Sequence, residues 1–594
     1  MDTISPIFTE KSIAVLPFVN MSSDPDNEYF SDGVTEEIIN ALTGIQGLKV
    51  IARTSSFAFK GKNIDVRTIG KQLAVTTVLE GSVRKVGQRI RVTAQLVRTD
   101  DGSHLWSKNF DRKLEDIFAT QDEISLLIAD QIRANFGHFD IGDKLYESHT
   151  ESVDAYRAYL KGRFHQLKWS IEHYKQAIDY YKEALAIDPN YPMPYYGLVQ
   201  CYTYLFMWRA ISKPEAIRLT DTYLDQLKAI NPQLAEYHLA RSGCAILLNW
   251  DLQLAHDELK KTLAISPANV DALEALAGLY IVVGAFEESI QYIDQAIEVN
   301  PLSANHSFMK GNSYYYAGAY KKAMKWMDVA IKLEPNMLLA RQVKMATLLL
   351  LDRQTEFERY LDRNKAHSFA AHFSTLRRLT EGEEDELALD EDHSNAFLPW
   401  QLYFLVHSGQ MTQAFSVLRE GLSNQVGQYF CFKYDPFLKP LREDERFQEV
   451  LQAYPDFSLR LAQATTPANK LATKKMDDNE ATESLSALER MMEEEAPYLN
   501  PVLSIKLLSE VLDIHPNKLS WLINEHFEKN FNEYINSFRL STFKAKALDP
   551  ANSHLTLLGL AYESGFNSKT VFNAFFKKTE GITPRAWVKA QSKE

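Results

Sequence analysis

Residues 561–587 read AYESGFNSKTVFNAFFKKTEGITPRAW, and this stretch predicts a tight turn between two short helices. The apolar periodicity indicates one helix over 555–563 and a second over 568–578. Gly565 permits the positive φ of a tight turn, and Phe566 is placed to be buried beneath it. The core stripe of the second helix is predicted to contain Val571, Phe572, Phe575 and Phe576. Its outward face then carries the polar side chains of a helix-turn-helix, namely Lys569, Thr570, Asn573 and Lys577.

The same design occurs earlier in the chain, between residues 504 and 527. An amphipathic helix over 504–512 is followed by a turn over 513–516 and by a second helix. The apolar side of that second helix is formed by Leu519, Leu522, Ile523 and Phe527. We therefore expect an exposed polar face made of Asn517, Ser520, Trp521 and Asn524.

A single helix is predicted to join these two units. Asn530 with Glu533 three residues later forms a capping-box pattern, and Asp549 before Pro550 marks the end of the helix. About 18 residues at 1.5 Å each give a length of ~27 Å. Successive major-groove faces on one side of a DNA duplex are ~34 Å apart. The helix and its flanks thus suit two recognition helices in adjacent groove segments.

The stretch from Ala561 to Trp587 resembles the C-terminal signature of the AraC family of transcription regulators, over about 95 residues in all. This resemblance implies that the helices over 516–527 and 568–578 enter the major groove of double-stranded DNA. It suggests base contacts from Asn517, Ser520, Trp521, Lys569, Thr570 and Asn573, with Asn524 on the same face. Phosphate-contact candidates are Lys518, Lys529, Lys544, Lys577 and Lys578.

The sequence departs from that family at several points. Asp513 and Glu528 stand where the family often has glycine, and Phe543 and Lys546 interrupt a usually small or apolar helix face. Neither recognition helix contains arginine, so the common bidentate contact from arginine to guanine is excluded there. Recognition of the DNA sequence is therefore expected to rely on contacts from asparagine to adenine, on Lys569 and on DNA shape.

A 34-residue period marks the middle of the chain. Prolines recur at 267, 301 and 335. At the same interval, tyrosine recurs at 280 and 314, glycine at 284 and 318, and alanine at 296 and 330. Small residues at fixed helical positions let paired helices approach closely. The pattern resembles the tetratricopeptide repeat and predicts an all-α superhelix with a groove for a protein or peptide partner.

The first part of the chain alternates strand and helix patterns, which predicts an α/β domain over residues 12–135. Ile90, Val92, Ala94 and Leu96 alternate with polar residues and indicate a half-buried strand after a turn over 86–89. Residues 13–18, 29–33 and 79–83 resemble the TolB-like N-terminal module of bacterial regulators and cyclases.

These patterns predict a multidomain protein with four segments. They are a TolB-like α/β domain over 1–136, a repeat superhelix over 137–460, a linker with a short acidic helix over 461–496, and a double helix-turn-helix domain over 497–594. Residues 464–484 have few large apolar side chains and are predicted to be flexible, and the acidic helix is expected over 485–495.

Charge is divided unevenly along the chain. The net charge of the whole chain is -13, but residues 500–594 hold 12 Lys and Arg against 9 Asp and Glu, a net charge of +3. Because exposed charges are screened beyond ~8 Å, this basic segment can approach phosphates despite its acidic neighbours. The acidic whole-chain charge therefore does not exclude DNA binding.

Other features narrow the class of protein. Only Cys201, Cys244 and Cys431 occur, which excludes a disulfide framework and favours a reducing cytoplasm. No apolar run approaches the ~18 residues of a membrane span. HExxH, GxxxxGK[ST] and GxSxG patterns are all missing from the sequence, so we expect neither an enzyme nor a bound metal or cofactor.

The sequence thus predicts a cytoplasmic, sequence-specific transcription regulator controlled by its N-terminal and repeat regions. Because the linker is predicted to be flexible, control is expected to act through dimerisation or through masking of the basic domain. A homodimer is therefore one of the expected assemblies. The alternative is a non-catalytic scaffold whose helix-turn-helix domain no longer reads DNA and instead binds protein.

Overall fold

A computed structural model describes residues 11–24, 27–45, 47–139, 141, 145, 149–383, 397–454, 478–552 and 555–591. The fold comprises an α/β region, a long helical repeat region and a helical C-terminal region, as the sequence predicts. The part of the predicted linker over 461–477 lies outside the described residues.

The α/β region is built on one mixed sheet in the order β3-β1-β4-β5-β6, with β2 beside β4. Its strands are β1 (Ser12–Val15), β2 (Val19–Asn20), β3 (Lys49–Val50), β4 (Thr77–Val86), β5 (Arg89–Arg98) and β6 (His104–Lys113). β1 runs parallel to β3 and β4, whereas β4, β5 and β6 pair antiparallel. The predicted hairpin is confirmed, because β4 and β5 pair antiparallel from Val86 and Arg89 onward. The predicted half-buried strand is also present, since β5 alternates buried and more exposed residues along most of its length.

Helices accompany the sheet: α1 (Glu28–Thr43), α2 (Arg53–Phe57), α3 (Val66–Leu73) and α4 (Ile117–Phe136). α1 and α4 pack against each other, and their buried side chains share one core with strands of the sheet. α4 ends at Gly137, whose φ of 103° turns the chain away from the helix axis. This end of α4 lies against the C-terminal region.

The repeat region is a succession of antiparallel helix pairs. Its helices are α5 (Val153–Gln166), α6 (Ile171–Ile187), α7 (Pro192–Met207), α8 (Lys213–Ile230), α9 (Ala235–Cys244), α10 (Leu252–Ile265), α11 (Val270–Val283), α12 (Phe286–Val299), α13 (Ala304–Tyr316), α14 (Tyr320–Leu333), α15 (Leu338–Leu350), α16 (Gln354–Arg363), α17 (Ser368–Thr380), α18 (Trp400–His407), α19 (Met411–Ser423), α20 (Lys439–Arg442) and α21 (Arg446–Ala453).

The 34-residue period has the packing role that the sequence suggests. Ala296 and Ala330 are fully buried at equivalent positions of α12 and α14. Gly284 and Gly318 adopt left-handed φ of 81° and 73° in the turns between paired helices. The small residues allow close helix contact, and the glycines end one helix so that the next can fold back.

Among the described residues, contacts between the α/β region and the repeats include one at α5 and one just before α13. Gly33 of α1 packs against Leu160 of α5 so closely that an added Cβ would lie 2.6 Å from a leucine methyl carbon. The Ser55 hydroxyl donates to Asn300 Oδ1 at 2.6 Å and accepts from the Leu302 amide at 2.9 Å. The α/β region therefore spans the repeats from α5 to the turn before α13.

The C-terminal region holds α22 (Asp478–Glu494), α23 (Ile505–Leu512), α24 (Pro516–Phe527), α25 (Phe531–Leu548), α26 (Leu557–Glu563), α27 (Lys569–Glu580) and α28 (Pro584–Gln591). α22 begins at Asp478, so the prediction of flexible chain up to residue 484 is wrong for its last seven residues. Ala481, Leu488 and Met492 are buried against α23 to α25, and this helical spacing of apolar residues stabilises the longer helix.

Within the described residues, no helix is both long enough and apolar enough to cross a bilayer. The same residues contain no group of three or more His, Cys, Asp or Glu side chains placed to hold a metal ion. Burial raises the pKa of Cys431 to about 12 and that of Cys244 to about 11, which keeps both thiols protonated.

Candidate nucleic-acid interface

The first helix-turn-helix consists of α23 and α24. Ser504 caps α23 through a hydrogen bond from the Leu507 amide at 3.2 Å. Asp513 has φ of 52° in the turn, and Glu528 has φ of 52° after α24. Both positions require the left-handed conformation, which explains why the resembling family often has glycine there. This chain adopts the same turns with residues that fit them less easily.

The face of α24 predicted to read DNA is only partly exposed. Asn517, Lys518, Trp521 and Asn524 are half-buried. Ser520 is 2% exposed, so the prediction that it faces outward is wrong. The reason is helical geometry: Ser520 lies seven residues before Phe527 and three before Ile523, which places it on the apolar side.

Asn517 is hydrogen-bonded to the α/β region rather than exposed. Its Oδ1 accepts from the Ile141 amide at 3.1 Å, and its Nδ2 donates to the Ile141 carbonyl at 3.1 Å. The Arg133 guanidinium of α4 also donates to Asn517 Oδ1. Lys518 next to it forms an ion pair with Glu480 of α22. One end of the predicted reading face is therefore occupied by other parts of the chain.

The second helix-turn-helix consists of α26 and α27 and has an open face. Lys569, Asn573 and Lys577 are exposed along α27, as predicted, while the side chain of Thr570 lies outside the described residues. Among those described residues, Lys569 and Lys577 have no acidic partner within ion-pair distance. This helix thus presents two unpaired cations and an amide to solvent.

The core beneath α27 is largely the predicted one. Phe572 and Phe576 are 2% and 0% exposed and pack against Phe543 of α25. Val571 is 41% exposed, so its assignment to the core stripe is wrong. Phe543, which departs from the family pattern, supplies the ring against which Phe572 and Phe576 pack.

α25 joins the two units as one uninterrupted helix of 18 residues, about 27 Å long. The predicted capping box is present: the Glu533 amide donates to Asn530 Oδ1 at 2.9 Å, and the Asn530 amide donates to Glu533 Oε2 at 3.3 Å. This cap fixes where the helix starts. The separation of the two units is therefore set by a rigid element.

A buried arginine attaches α25 to the segment before α23. Arg539 is 8% exposed, its Nε donates to the Tyr498 carbonyl at 2.7 Å, and its Nη2 donates to the Asn500 carbonyl at 2.8 Å. Burial lowers the pKa of Arg539 to about 10. Gly565 of the second unit lies against the same segment, since a Cβ there would be 2.2 Å from the Tyr498 carbonyl oxygen. Residues 498–500 thus link both units.

Several lysines proposed from sequence as phosphate contacts have polar or acidic neighbours. Lys544 lies 2.5 Å from Glu580, and Lys578 lies 2.6 Å from Glu533. The Lys529 ammonium donates to the Ser537 hydroxyl at 3.4 Å. Because these contacts are largely at the surface, each contributes little and can exchange for a phosphate. Lys569 and Lys577 require no such exchange.

A second candidate site is the large groove enclosed by the α/β region and the repeats, about 2150 Å³ in volume. Its lining includes six carboxylates but only two arginines, and both arginines pair with one of those carboxylates: Arg163 and Arg53 lie 2.6 and 3.1 Å from Glu36. Burial, followed by the charge of Glu36, raises the pKa of Glu37 to about 8. The remaining acidic lining is formed by Glu236, Asp271, Glu274 and Glu334.

Sequence reasoning did not identify the residues of the α/β region that contact the first recognition helix and the start of α25. Arg133, Asn135 and Ile141 have no motif of their own, and they lie more than 370 residues from their partners in the chain. No local pattern in the sequence reports such contacts.

Family models match three parts of the chain. Residues 508–590 match a helix-turn-helix domain, residues 9–127 match the second domain of HilA/YgeH-like transcriptional regulators, and residues 166–191 match a tetratricopeptide repeat. The AraC-type helix-turn-helix and repeat predictions are confirmed. The TolB-like interpretation of the α/β region stays a prediction.

One curated protein and two solved structures are similar to parts of this chain. The chain is 44% identical over 181 residues to a Rhizobium meliloti (strain 1021) protein named "Putative adenylate cyclase 3", and the match spans about 30% of each chain. A thermophilic repeat protein of Thermus thermophilus is 16% identical, with 33% of this chain and 99% of that chain covered and a TM-score of 0.28. PilF of Pseudomonas aeruginosa is 12% identical, with 36% and 91% covered and a TM-score of 0.30.

The two regulator-type matches lie at opposite ends of the chain, on the α/β region and on the double helix-turn-helix. Together with the repeat match between them, they support a transcription regulator.

Proposed function

We propose that this chain binds double-stranded DNA in a sequence-specific manner, with α24 and α27 in adjacent major-groove segments, and thereby regulates transcription. The observation that carries the proposal is the outward face of α27, where Lys569, Asn573 and Lys577 are exposed on a basic domain of helix-turn-helix type. Such a helix offers an amide for adenine and cations for phosphates.

The reading residues on α27 are Lys569, Thr570 and Asn573, and those on α24 are Asn517, Trp521 and Asn524. Lys518 and Lys577 flank them as phosphate contacts. Ser520 is left out of this set, because a buried hydroxyl cannot reach a base edge.

Selection of bound sequences from random DNA by the full chain tests the proposal. We expect enrichment of a site with two conserved parts whose centres are about one helical turn, ~10 base pairs, apart. A salt titration on the selected duplex should give a linear fall of log K with log salt, of about 0.9 per phosphate contact. If no sequence is enriched and binding lacks this salt dependence, the scaffold alternative replaces the regulator.

We further propose that the groove between the α/β region and the repeats receives a protein or peptide partner, and that the partner segment is basic. Among the described residues, no cationic side chain lies within ion-pair distance of four lining carboxylates, which are Glu37, Glu236, Asp271 and Glu334. A cationic segment would neutralise this acidic excess.

Binding of a fluorescent decalysine peptide to the full chain tests the charge of the groove. Glu236→Gln combined with Asp271→Asn should weaken binding by about tenfold or more. Glu287→Gln combined with Glu183→Gln, two exposed positions that do not line the groove, is the control matched in charge and should leave the affinity unchanged. Equal affinity for the groove variant and the wild type would contradict a basic partner.

We propose that the chain acts without catalysis. The name of the Rhizobium meliloti relative states an activity of that protein, and the similarity covers about 30% of it. The matched domains of this chain are regulator and repeat modules. Incubation of the full chain with ATP and Mg²⁺ should yield no cyclic AMP, and measurable formation would contradict this part of the proposal.

A further inference from the structure

The first recognition helix and the start of α25 are both docked on the α/β region by direct hydrogen bonds, those of α24 coming from Asn517. We define the docking surface as Ala134, Asn135, Gly137 and Ile141, at the end of α4 and just after it. Asn530 donates to the Asn135 carbonyl at 2.8 Å, and Asn532 donates to Asn135 Oδ1 at 3.0 Å. These bonds hold the start of α25 at the docking surface.

Packing at this surface is close as well as polar. Ala134 is 8% exposed and belongs to the same apolar cluster as Leu519 and Ile523 of α24. A Cβ added at Gly137 would lie 3.1 Å from Asn524 Oδ1, a tighter approach than ordinary van der Waals contact. The docking surface therefore covers part of α24 with close contacts.

The contact of Asn517 with Ile141 has the pattern of a base contact. An asparagine that reads adenine in the major groove donates to N7 and accepts from the N6 amino group. Here the Ile141 carbonyl takes the place of N7, and the Ile141 amide takes the place of the N6 amino group, each at 3.1 Å. Since one amide cannot make both pairs of hydrogen bonds at once, adenine and Ile141 exclude each other.

We propose that the α/β region masks the first recognition helix, and that DNA and the docking surface compete for the same face of α24. This inference rests on the proposed DNA-binding function. The exposed α27 can still contact DNA in the docked state, whereas engagement of both helices requires α24 to leave the docking surface. The chain would then alternate between a docked form with weak DNA affinity and an undocked form with full affinity.

Ala134→Glu in the full chain tests the masking, because it places a charged, longer side chain in the docking contact. Ala119→Glu, at an exposed position of the same helix, is the matched control. We expect Ala134→Glu to bind a selected 30-base-pair duplex at least about tenfold more tightly than the wild type, and Ala119→Glu to bind like the wild type. Hydrogen exchange without DNA should be faster in α24 for Ala134→Glu only.

Asn135→Ala is a milder variant in case the glutamate perturbs α4 itself. It removes the side-chain acceptor of Asn532, and loss of one neutral hydrogen bond changes an equilibrium constant by about two- to tenfold. Asn135→Ala and Asn532→Ala should each raise DNA affinity by that factor. The double variant should gain no more than either single variant, because both remove the same bond.

The outcomes separate this inference from the function on which it rests. If all the chains bind DNA with the same affinity and α24 exchanges equally, masking is wrong and the DNA-binding function stands. If none of the chains binds DNA selectively, the proposed function is wrong and the inference fails with it.

Discussion

Gly565→Ala tests the junction at which the second helix-turn-helix meets residues 498–500. Gly565 has φ of 93°, and a Cβ there would lie 2.2 Å from the Tyr498 carbonyl oxygen and 2.9 Å from Leu499 Cα. A left-handed backbone costs an L residue about 1–2 kcal/mol, and overpacking adds about 1–3 kcal/mol. The expected loss of stability is therefore about 2–5 kcal/mol.

Gly581→Ala is the matched control for this substitution. Gly581 also has a positive φ, 75°, but no heavy atom lies within 4 Å of an added Cβ. Only the backbone strain of about 1–2 kcal/mol applies there. The difference between the two variants thus isolates the steric contact with the Tyr498 backbone.

Native-state hydrogen exchange of the full chain is the suitable assay, because it reports the opening free energy of α25 and α27 separately from the other domains. Gly565→Ala should lower protection of the central α25 amides more than Gly581→Ala, by a factor of roughly 5 to 150, which corresponds to about 1–3 kcal/mol. If Gly565→Ala costs no more than Gly581→Ala, the two units are not packed together through residues 498–500.

Three further predictions concern other parts of the molecule. Glu528→Gly should stabilise the first helix-turn-helix by about 0.5–1 kcal/mol, because it relieves a left-handed φ of 52°. Glu525→Gly inside α24 should instead destabilise it by about 1 kcal/mol. Protection of the α24 amides measures both changes, and a stability change of the same sign in the two variants would refute the account. Glu37 has a pKa of about 8, above its ordinary value of 4.5. Between these two pH values the folded state holds a proton that the unfolded state has lost, so the contribution of Glu37 to stability falls as pH rises through this window. Glu37→Gln should remove that fall, seen as a Tm that gains on the wild type from about pH 5 to pH 8, and parallel pH profiles of the two proteins would contradict the assignment. Asn573→Ala should cost about 1–3 kcal/mol on the preferred DNA site and much less on other sequences, whereas Lys577→Ala should weaken all sequences alike and lower the salt slope by about 1; an equal loss on all sequences for Asn573→Ala would reassign it to backbone contact.

Local features of the C-terminal region could be predicted because each depends on neighbouring residues. The capping box of α25 requires only Asn530 and Glu533, and both of its hydrogen bonds are present. The exposure of Lys569 and Asn573 follows from helical periodicity around Phe572 and Phe576. The same rule, applied to the spacing between Ser520 and Phe527, would have placed Ser520 inside.

The arrangement of the domains could not be predicted in this way. The pair of hydrogen bonds between Asn517 and Ile141 joins residues 376 positions apart, and nothing in either local sequence specifies the other. The acidic groove depends similarly on how α1 and the repeat helices come together, since Glu36 and Arg163 meet only in the folded chain. A cytoplasmic location and the TolB-like origin of the α/β region stay predictions.

The central claim is that α24 and α27 read one DNA site together at a separation fixed by α25. Affinity measured on the selected duplex with five extra base pairs inserted between its two parts tests this claim most directly, because half a helical turn moves the second major-groove face to the opposite side of the DNA. With a rigid 18-residue helix between the two units, we predict a loss of at least about tenfold, with no recovery when ten base pairs are inserted. Unchanged affinity on the five-base-pair insertion would show that the two helices do not read DNA as a pair.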